Sequence, residues 1–261
     1  MTVSAFRDLR LAEVEDSIAL LREFGKSSGK LLEVGAGTGW QAKALADAGY
    51  DVEAIDLPAE SGISGHARER EWPIRDYDGS HIPFADASFD IIYSSNVLEH
   101  VVELDALGAD MKRVLRPGGI ALHLVPNPQW RLLSLLTYYP GQVVDFFRWL
   151  RRRETRATAN SVAITPPGPL SLLPKAVRRL VPPTHGAKGN PLNEINRFSR
   201  HCWNNTFERA GWEILFYGNN GLVASGDYLL GSVLGMKARR KIGKAMGGIA
   251  HVYLLRPKPT E

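Results

Sequence analysis

The chain has 261 residues, 44% hydrophobic and 23% charged, a composition that excludes a disordered or collagenous class and fits one globular domain. A single cysteine, Cys202, excludes an internal disulfide and makes a reducing, cytoplasmic setting the expectation. The net charge of +4 hides an asymmetry: Phe146 to Lys188 holds nine Lys or Arg against Glu154 alone, and Lys237 to Lys244 holds five bases and no acid.

In chain order, Arg7, Asp8 and Arg10 break the N-terminal stretch before an apolar region of secretory type can form. "KLLEVGAG" predicts a buried strand, and "WQAKALADAGY" a helix stopped by Gly49. "DVEAID" predicts a second strand, "WPIRDYD" a third and "FDIIYSS" a fourth, the last a continuous apolar run suited to the inside of a parallel sheet. "ELDALGADMKRVLRPGG" places Leu104, Leu107, Met111 and Val114 on one helical face and stops at Pro117-Gly118-Gly119. "IALHLVPN" follows as a fifth strand.

Ten of the 16 prolines then fall between Pro126 and Pro191, so residues 128–195 are expected to form an insertion or lid. "RFSRHCWNNTFERAGW" predicts a helix ended by Gly211, and "EILFYG" a sixth strand. A second, basic insertion spans 219–248, and "IAHVYLLRP" is the last strand. The expected architecture is α/β: a doubly wound, mostly parallel seven-stranded sheet in one domain, 1–261. Between Arg131 and Asp145 only 13 uncharged residues occur, Pro140 among them, too few to span a membrane.

The chemistry concentrates around "LLEVGAGTGW", residues 31–40. A glycine turn between strand and helix lets backbone N–H groups approach a ligand. The dinucleotide fingerprint G-x-G-x-x-G is spoiled here, because Trp40 occupies the third position. That argues against a nicotinamide-dependent oxidoreductase. Glu33 before the turn could meet a ligand ammonium, and Asp56 at the end of the second strand could accept from ribose hydroxyls. Without a ligand, the same residues would be a strand-end charge and a helix N-cap.

Leu31 to Gly119 resembles the class I S-adenosylmethionine-dependent methyltransferases, with a Rossmann-like fold. "LLEVGAGTG" is similar to that family's first motif and "VEAIDLP" to its second. "DYDGSHIPFADASFDIIYSSNVLEHV" resembles the segment running through the fourth strand, and "RVLRPGG" the turn before the fifth. The resemblance implies S-adenosyl-L-methionine as cofactor. It places Glu33, Gly35, Ala36 and Gly37 at the methionine part, Asp56 at the ribose, and Leu57 against adenine. It further implies Asp78 accepting from the adenine amino group, Gly79 offering a backbone donor, and Asn96 lining the cleft. Gly79-Ser80-His81 and the Gly/Ser-rich stretch after Leu57 depart from the family pattern.

Such an enzyme aligns a nucleophile with an activated methyl and needs a general base only for an unactivated hydroxyl. His100 and His185 are the candidate bases, and no metal is expected. His185 sits in "PPTHGAKGNPLNEINRFS", a loop that also carries Asn190 and Glu194. That pattern is loosely similar to methyltransferases of surface glycans or lipid-linked substrates. The acceptor expected is an oxygen of a small molecule, a glycan or a lipid-linked sugar. Phe146, Phe147, Trp149 and Leu150 followed by Arg151, Arg152 and Arg153 suit either an interfacial segment at an anionic membrane surface or a lid with solvated arginines. Nucleic acid is disfavoured, since the basic segments carry no recognisable binding motif. The remaining alternative is a non-catalytic module that binds the cofactor at a membrane.

Overall fold

The computed structural model describes residues 3–58, 70–152, 182–187, 189–224 and 234–259, with side chains left undescribed at 3–5 and 144–152. Seven strands form one sheet: β1 (Lys30–Val34), β2 (Asp51–Asp56), β3 (Arg75–Asp76), β4 (Phe89–Ser95), β5 (Leu115–Pro126), β6 (Trp212–Asn219) and β7 (Ala250–Pro257). Their spatial order is β3-β2-β1-β4-β5-β7-β6. The first five are mutually parallel, while β7 runs antiparallel between β5 and β6. The chain order reverses at β1 and β4, so a crevice opens beyond their carboxyl ends.

The helices are α1 (Val3–Glu23), α2 (Trp40–Asp47), α3 (Leu104–Val114), α4 (Pro128–Arg152), α5 (Asn193–Arg197), α6 (Arg200–Arg209) and α7 (Met236–Met246). Strand alternation splits the core into two layers. Leu31 packs with Val14, Leu21, Leu45, Ile91 and Leu122 on one face. Its neighbour Leu32 packs with Ile92, Leu107, Met111, Trp203 and Phe207 on the other. Both leucines are fully buried, worth about 1.5–3 kcal/mol each. Gly39, with φ 84°, starts α2, and Ser199 caps α6 by accepting from the Cys202 N–H.

The structure departs from the sequence expectations at three places. Helix α1 was not anticipated; Val14, Ile18, Leu20 and Leu21 lay it against the sheet. Strand β5 begins at Leu115, not Ile120, because Leu115 pairs with Phe89 before the register shifts across the Pro117–Gly119 bulge. The basic insertion expected over 219–248 carries α7 and is tied into the fold. Arg239 is buried and donates to the carbonyls of Leu234 and Val223, and Arg240 pairs with Asp16 at 2.8 Å.

The insertion expected over 128–195 opens with α4, on which Leu132, Leu136, Tyr139 and Val143 are exposed. The side chains of Phe146, Phe147, Trp149, Leu150, Arg151 and Arg152, and all of Arg153, lie outside the described residues. No helix among the described residues is long and apolar enough to cross a membrane.

Candidate cofactor and acceptor site

The turn after β1 is held from behind by β2. The Gly35 and Ala36 amides both donate to the Ile55 carbonyl, at 2.8 and 3.1 Å. Gly35, Gly37 and Gly39 all take positive φ, at 77°, 60° and 84°. At Gly35 a second constraint applies, since an added Cβ would collide with the Val97 side chain just beyond β4. Gly35→Ala is therefore expected to destabilise the fold by about 2–4 kcal/mol, a left-handed backbone cost plus overpacking. Thermal unfolding of the variant checks it; an unchanged midpoint would remove Val97 as the wall of this turn.

Two carboxylates flank the turn. Glu33 pairs in register with Ala54 and Tyr93, its side chain is 1% exposed, and its Oε2 has no hydrogen-bond donor among the described residues. Burial pushes its pKa up to about 8, helped by the charge of Asp56 and opposed by the Ala42 backbone N–H. Asp56 accepts from the Gly37 amide through one oxygen and from the Leu57 amide, at 2.7 Å, through the other. Partial burial still raises its pKa, with those two backbone donors pulling the other way. Each oxygen keeps a further lone pair for a ligand hydroxyl.

Leu57 and Gly79 are brought together: a Cβ at Gly79 would lie 3.3 Å from Leu57 Cδ2. Asp78 is exposed and largely occupied by its own turn. One oxygen accepts from the Ser80 and His81 amides at 2.8 and 2.7 Å, and the other faces His81 Nδ1 at 3.0 Å. The His81 amide leads the donors that hold its pKa well below the usual carboxylate range. Asn96, with φ 56°, ends β4 at the mouth of the crevice; its amide donates to the Leu124 carbonyl and its side chain to Ser95 Oγ.

Trp40, which spoiled the dinucleotide pattern, works as a strut. Its Nε1 donates to Glu71 Oε1 at 2.7 Å, and Arg7 both stacks over its ring and forks onto the Glu71 carboxylate. Helix α1 and the Glu71 segment are thereby fastened over the start of α2. Neither Arg7 nor Glu71 was legible as a partner of the turn.

The two predicted histidines meet. A single 3₁₀ turn, Leu98–His100, follows β4, and the ring centroids of His100 and His185 are 4.6 Å apart. Glu99 lies between them, its side chain fully buried, with Oε1 3.4 Å from His185 Nε2 and 3.7 Å from His100 Nε2. Trp130 covers His185 at 4.4 Å. The His185 loop is pinned from below: Glu194 Oε1 accepts from the His185 and Gly186 amides at 2.8 Å each, and Arg131 pairs with Glu194 Oε2 at 2.9 Å. The Ala187 amide then donates to the Glu99 carbonyl at 2.9 Å. Burial lowers the His100 pKa, against the pull of the Glu99 charge. Sequence reasoning found both histidines but missed Glu99, Trp130 and Arg131 as their company.

Residues 32–123 match the family model described as a methyltransferase domain. That stretch is thus similar to a methyltransferase domain. It holds the glycine turn, Asp56, the Leu57–Gly79 contact and the Glu99–His100 turn, while His185 and Glu194 come from outside it.

An "uncharacterized methyltransferase" of Mycobacterium avium is 45% identical over 95 residues, 35% of this chain and 37% of that protein. One of Mycobacterium marinum is 41% identical over 124 residues, 46% of this chain and 45% of that protein. The chain thus spans less than half the length of these relatives. Among solved structures, a methyltransferase of Methanosarcina mazei aligns over 93% of this chain and 98% of its own, with 16% identity and a TM-score of 0.52. One of Mesorhizobium loti covers 91% and 96%, with 16% identity and a TM-score of 0.50. These share the fold of this chain, whose sheet is seven-stranded and mostly parallel.

Proposed function

We propose that the chain is an S-adenosyl-L-methionine-dependent methyltransferase acting on an oxygen of a small-molecule, glycan or lipid-linked acceptor. The observation that carries this is the pair of carboxylates on either side of the glycine turn. Glu33 presents a buried oxygen without a donor among the described residues, the complement of an ammonium, and Asp56 presents two oxygens braced by backbone amides, the complement of a ribose diol. The Leu57–Gly79 contact provides an apolar bed for a purine ring. When bound, the cofactor supplies a methyl group already activated on sulfonium, so the chain's work is to position the acceptor and keep water out.

The acceptor side is built by Glu99, His100 and His185 under the Trp130 ring. Either imidazole, oriented by the buried Glu99 carboxylate, can take the proton of an acceptor hydroxyl. The exposed apolar residues of α4, Leu132, Leu136, Tyr139 and Val143, recur at helical spacing and favour an acceptor carried on an apolar tail.

Calorimetric titration with S-adenosylhomocysteine tests the cofactor assignment. Asp56→Ala is expected to weaken binding by about 10–100-fold, the loss of charge-assisted bonds to a diol, while circular dichroism stays that of the parent. Unchanged affinity would place the ribose elsewhere, and NAD binding without any response to S-adenosylhomocysteine would overturn the reading.

A further inference from the structure

We propose that Glu99, His100 and His185 form a binding site for one divalent transition-metal ion, of the kind zinc and cobalt occupy. Three observations converge. One donor atom from each of the three side chains lies within 4.8 Å of the others. The Glu99 carboxylate is buried, yet neither oxygen has a hydrogen-bond partner among the described residues. Finally, the separations suit a shared ion better than a direct bond. At 3.4 and 3.7 Å, Glu99 Oε1 is too far from His185 Nε2 and His100 Nε2 for charge-assisted hydrogen bonds, which run at about 2.7–2.9 Å. Two ligands bonded to one tetrahedral ion at about 2.0–2.1 Å stand roughly 3.3–3.4 Å apart.

Two imidazoles and a carboxylate are the donor set of many zinc and non-haem iron sites that keep a position open. The surroundings support it. Glu194 fixes the backbone on which His185 sits, Trp130 packs its ring, and the Ala187 amide ties that loop to Glu99 itself. The ligands are thus preorganised from two segments 85 residues apart in the chain. His100 and His185 are partly exposed, which leaves an approach for the ion and for an oxygen ligand from the crevice. With the ion bound, the histidines are ligands and not bases. An acceptor hydroxyl bound to the ion would then be acidified by the metal and lose its proton to water, which rests on the methyl-transfer reading above and takes over the base role given there to the imidazoles.

The test uses the full chain stripped with a chelator, then titrated separately with zinc and with S-adenosylhomocysteine. Zinc is expected to bind at one equivalent, and cobalt to give the visible absorption of a low-symmetry nitrogen and oxygen site. Glu99→Gln and His185→Ala should weaken zinc by on the order of 100-fold, and His201→Ala, a histidine on α6, should not. S-adenosylhomocysteine binding by the same variants reports that they are folded. Zinc binding that survives both Glu99→Gln and His185→Ala, or no stoichiometric zinc binding to a parent that binds S-adenosylhomocysteine, would overturn the metal site and leave the cofactor reading standing. The reverse result, zinc without S-adenosylhomocysteine, would keep the metal site and sink the cofactor reading.

Discussion

Glu33→Gln is expected to yield a protein more stable than the parent at about pH 9 yet poor at binding the cofactor. The folded-state pKa of Glu33 is raised from 4.5 to about 8 by burial. A carboxyl whose pKa is raised on folding contributes most below its unfolded value, and that contribution is lost as pH climbs toward the folded value. Folded protein binds more protons than unfolded protein across that window, so stability falls as pH rises from about 4.5 to about 8. Above it the parent holds a buried anion beside the Asp56 carboxylate. Glutamine keeps the shape without the charge and should recover about 2–4 kcal/mol there, and little near pH 5.

The ligand side runs the other way. An ammonium favours the ionised carboxylate, so affinity of the parent for S-adenosylhomocysteine should rise between about pH 6 and 8 with release of a proton, and Glu33→Gln should lose that dependence along with about 10-fold or more in affinity. Urea unfolding and calorimetry at several pH values check both halves. A variant that gains no stability at high pH would mean the Glu33 carboxyl ionises freely in the fold. A variant that binds as well as the parent would release Glu33 from the cofactor.

How much of this was legible follows from how local each signal is. Strands β1, β2 and β4 were readable nearly to the residue because Leu31, Leu32, Ile55, Ile91 and Ile92 stand in short runs closed by Gly35, Asp56 and the Ser95-Asn96 turn. The glycine turn and Asp56 were readable because strand, turn and helix must follow in fixed order to present amides to a ligand. Helix α1 was missed although Val14, Ile18 and Leu21 stand four and three residues apart, because Arg10, Glu13, Glu15, Asp16 and Arg22 crowd the same stretch. Only the sheet face that Val14, Ile18 and Leu21 cover reveals their purpose. The company of His100 was invisible for a different reason. Glu99 was quoted as part of a motif, but its buried carboxylate gains meaning only when His185 arrives beside it. At Asp78 the carboxylate is also engaged locally by the Ser80 and His81 amides, which the motif did not announce.

The Arg131–Glu194 pair should carry the largest effect on the acceptor side. Arg131 is 4% exposed and Glu194 is fully buried, and the arginine also donates to the Pro183 and Pro191 carbonyls, which bracket the His185 loop. Arg131→Met leaves the Glu194 carboxylate buried with only the His185 and Gly186 amides, and is expected to cost about 3–5 kcal/mol of stability. Glu194→Gln alone leaves the guanidinium with the Pro183 and Pro191 carbonyls but no counter-charge among the described residues. The double variant Arg131→Met, Glu194→Gln removes both charges and keeps an acceptor for the two amides, so it should lose less than the sum of the single changes by about 2 kcal/mol. Equilibrium unfolding of the four proteins measures that coupling, and strictly additive losses would show that the pair is not what holds the loop. Affinity for S-adenosylhomocysteine should hold in the double variant, because Glu33, Asp56 and the glycine turn are anchored to β1 and β2 and not to α4. Zinc affinity should fall in it, since the His185 loop is then tied by fewer and weaker bonds. The two halves of the crevice are thus built by separate parts of the fold: one by the matched domain, the other by a proline-rich loop that a single buried ion pair draws back onto Glu99.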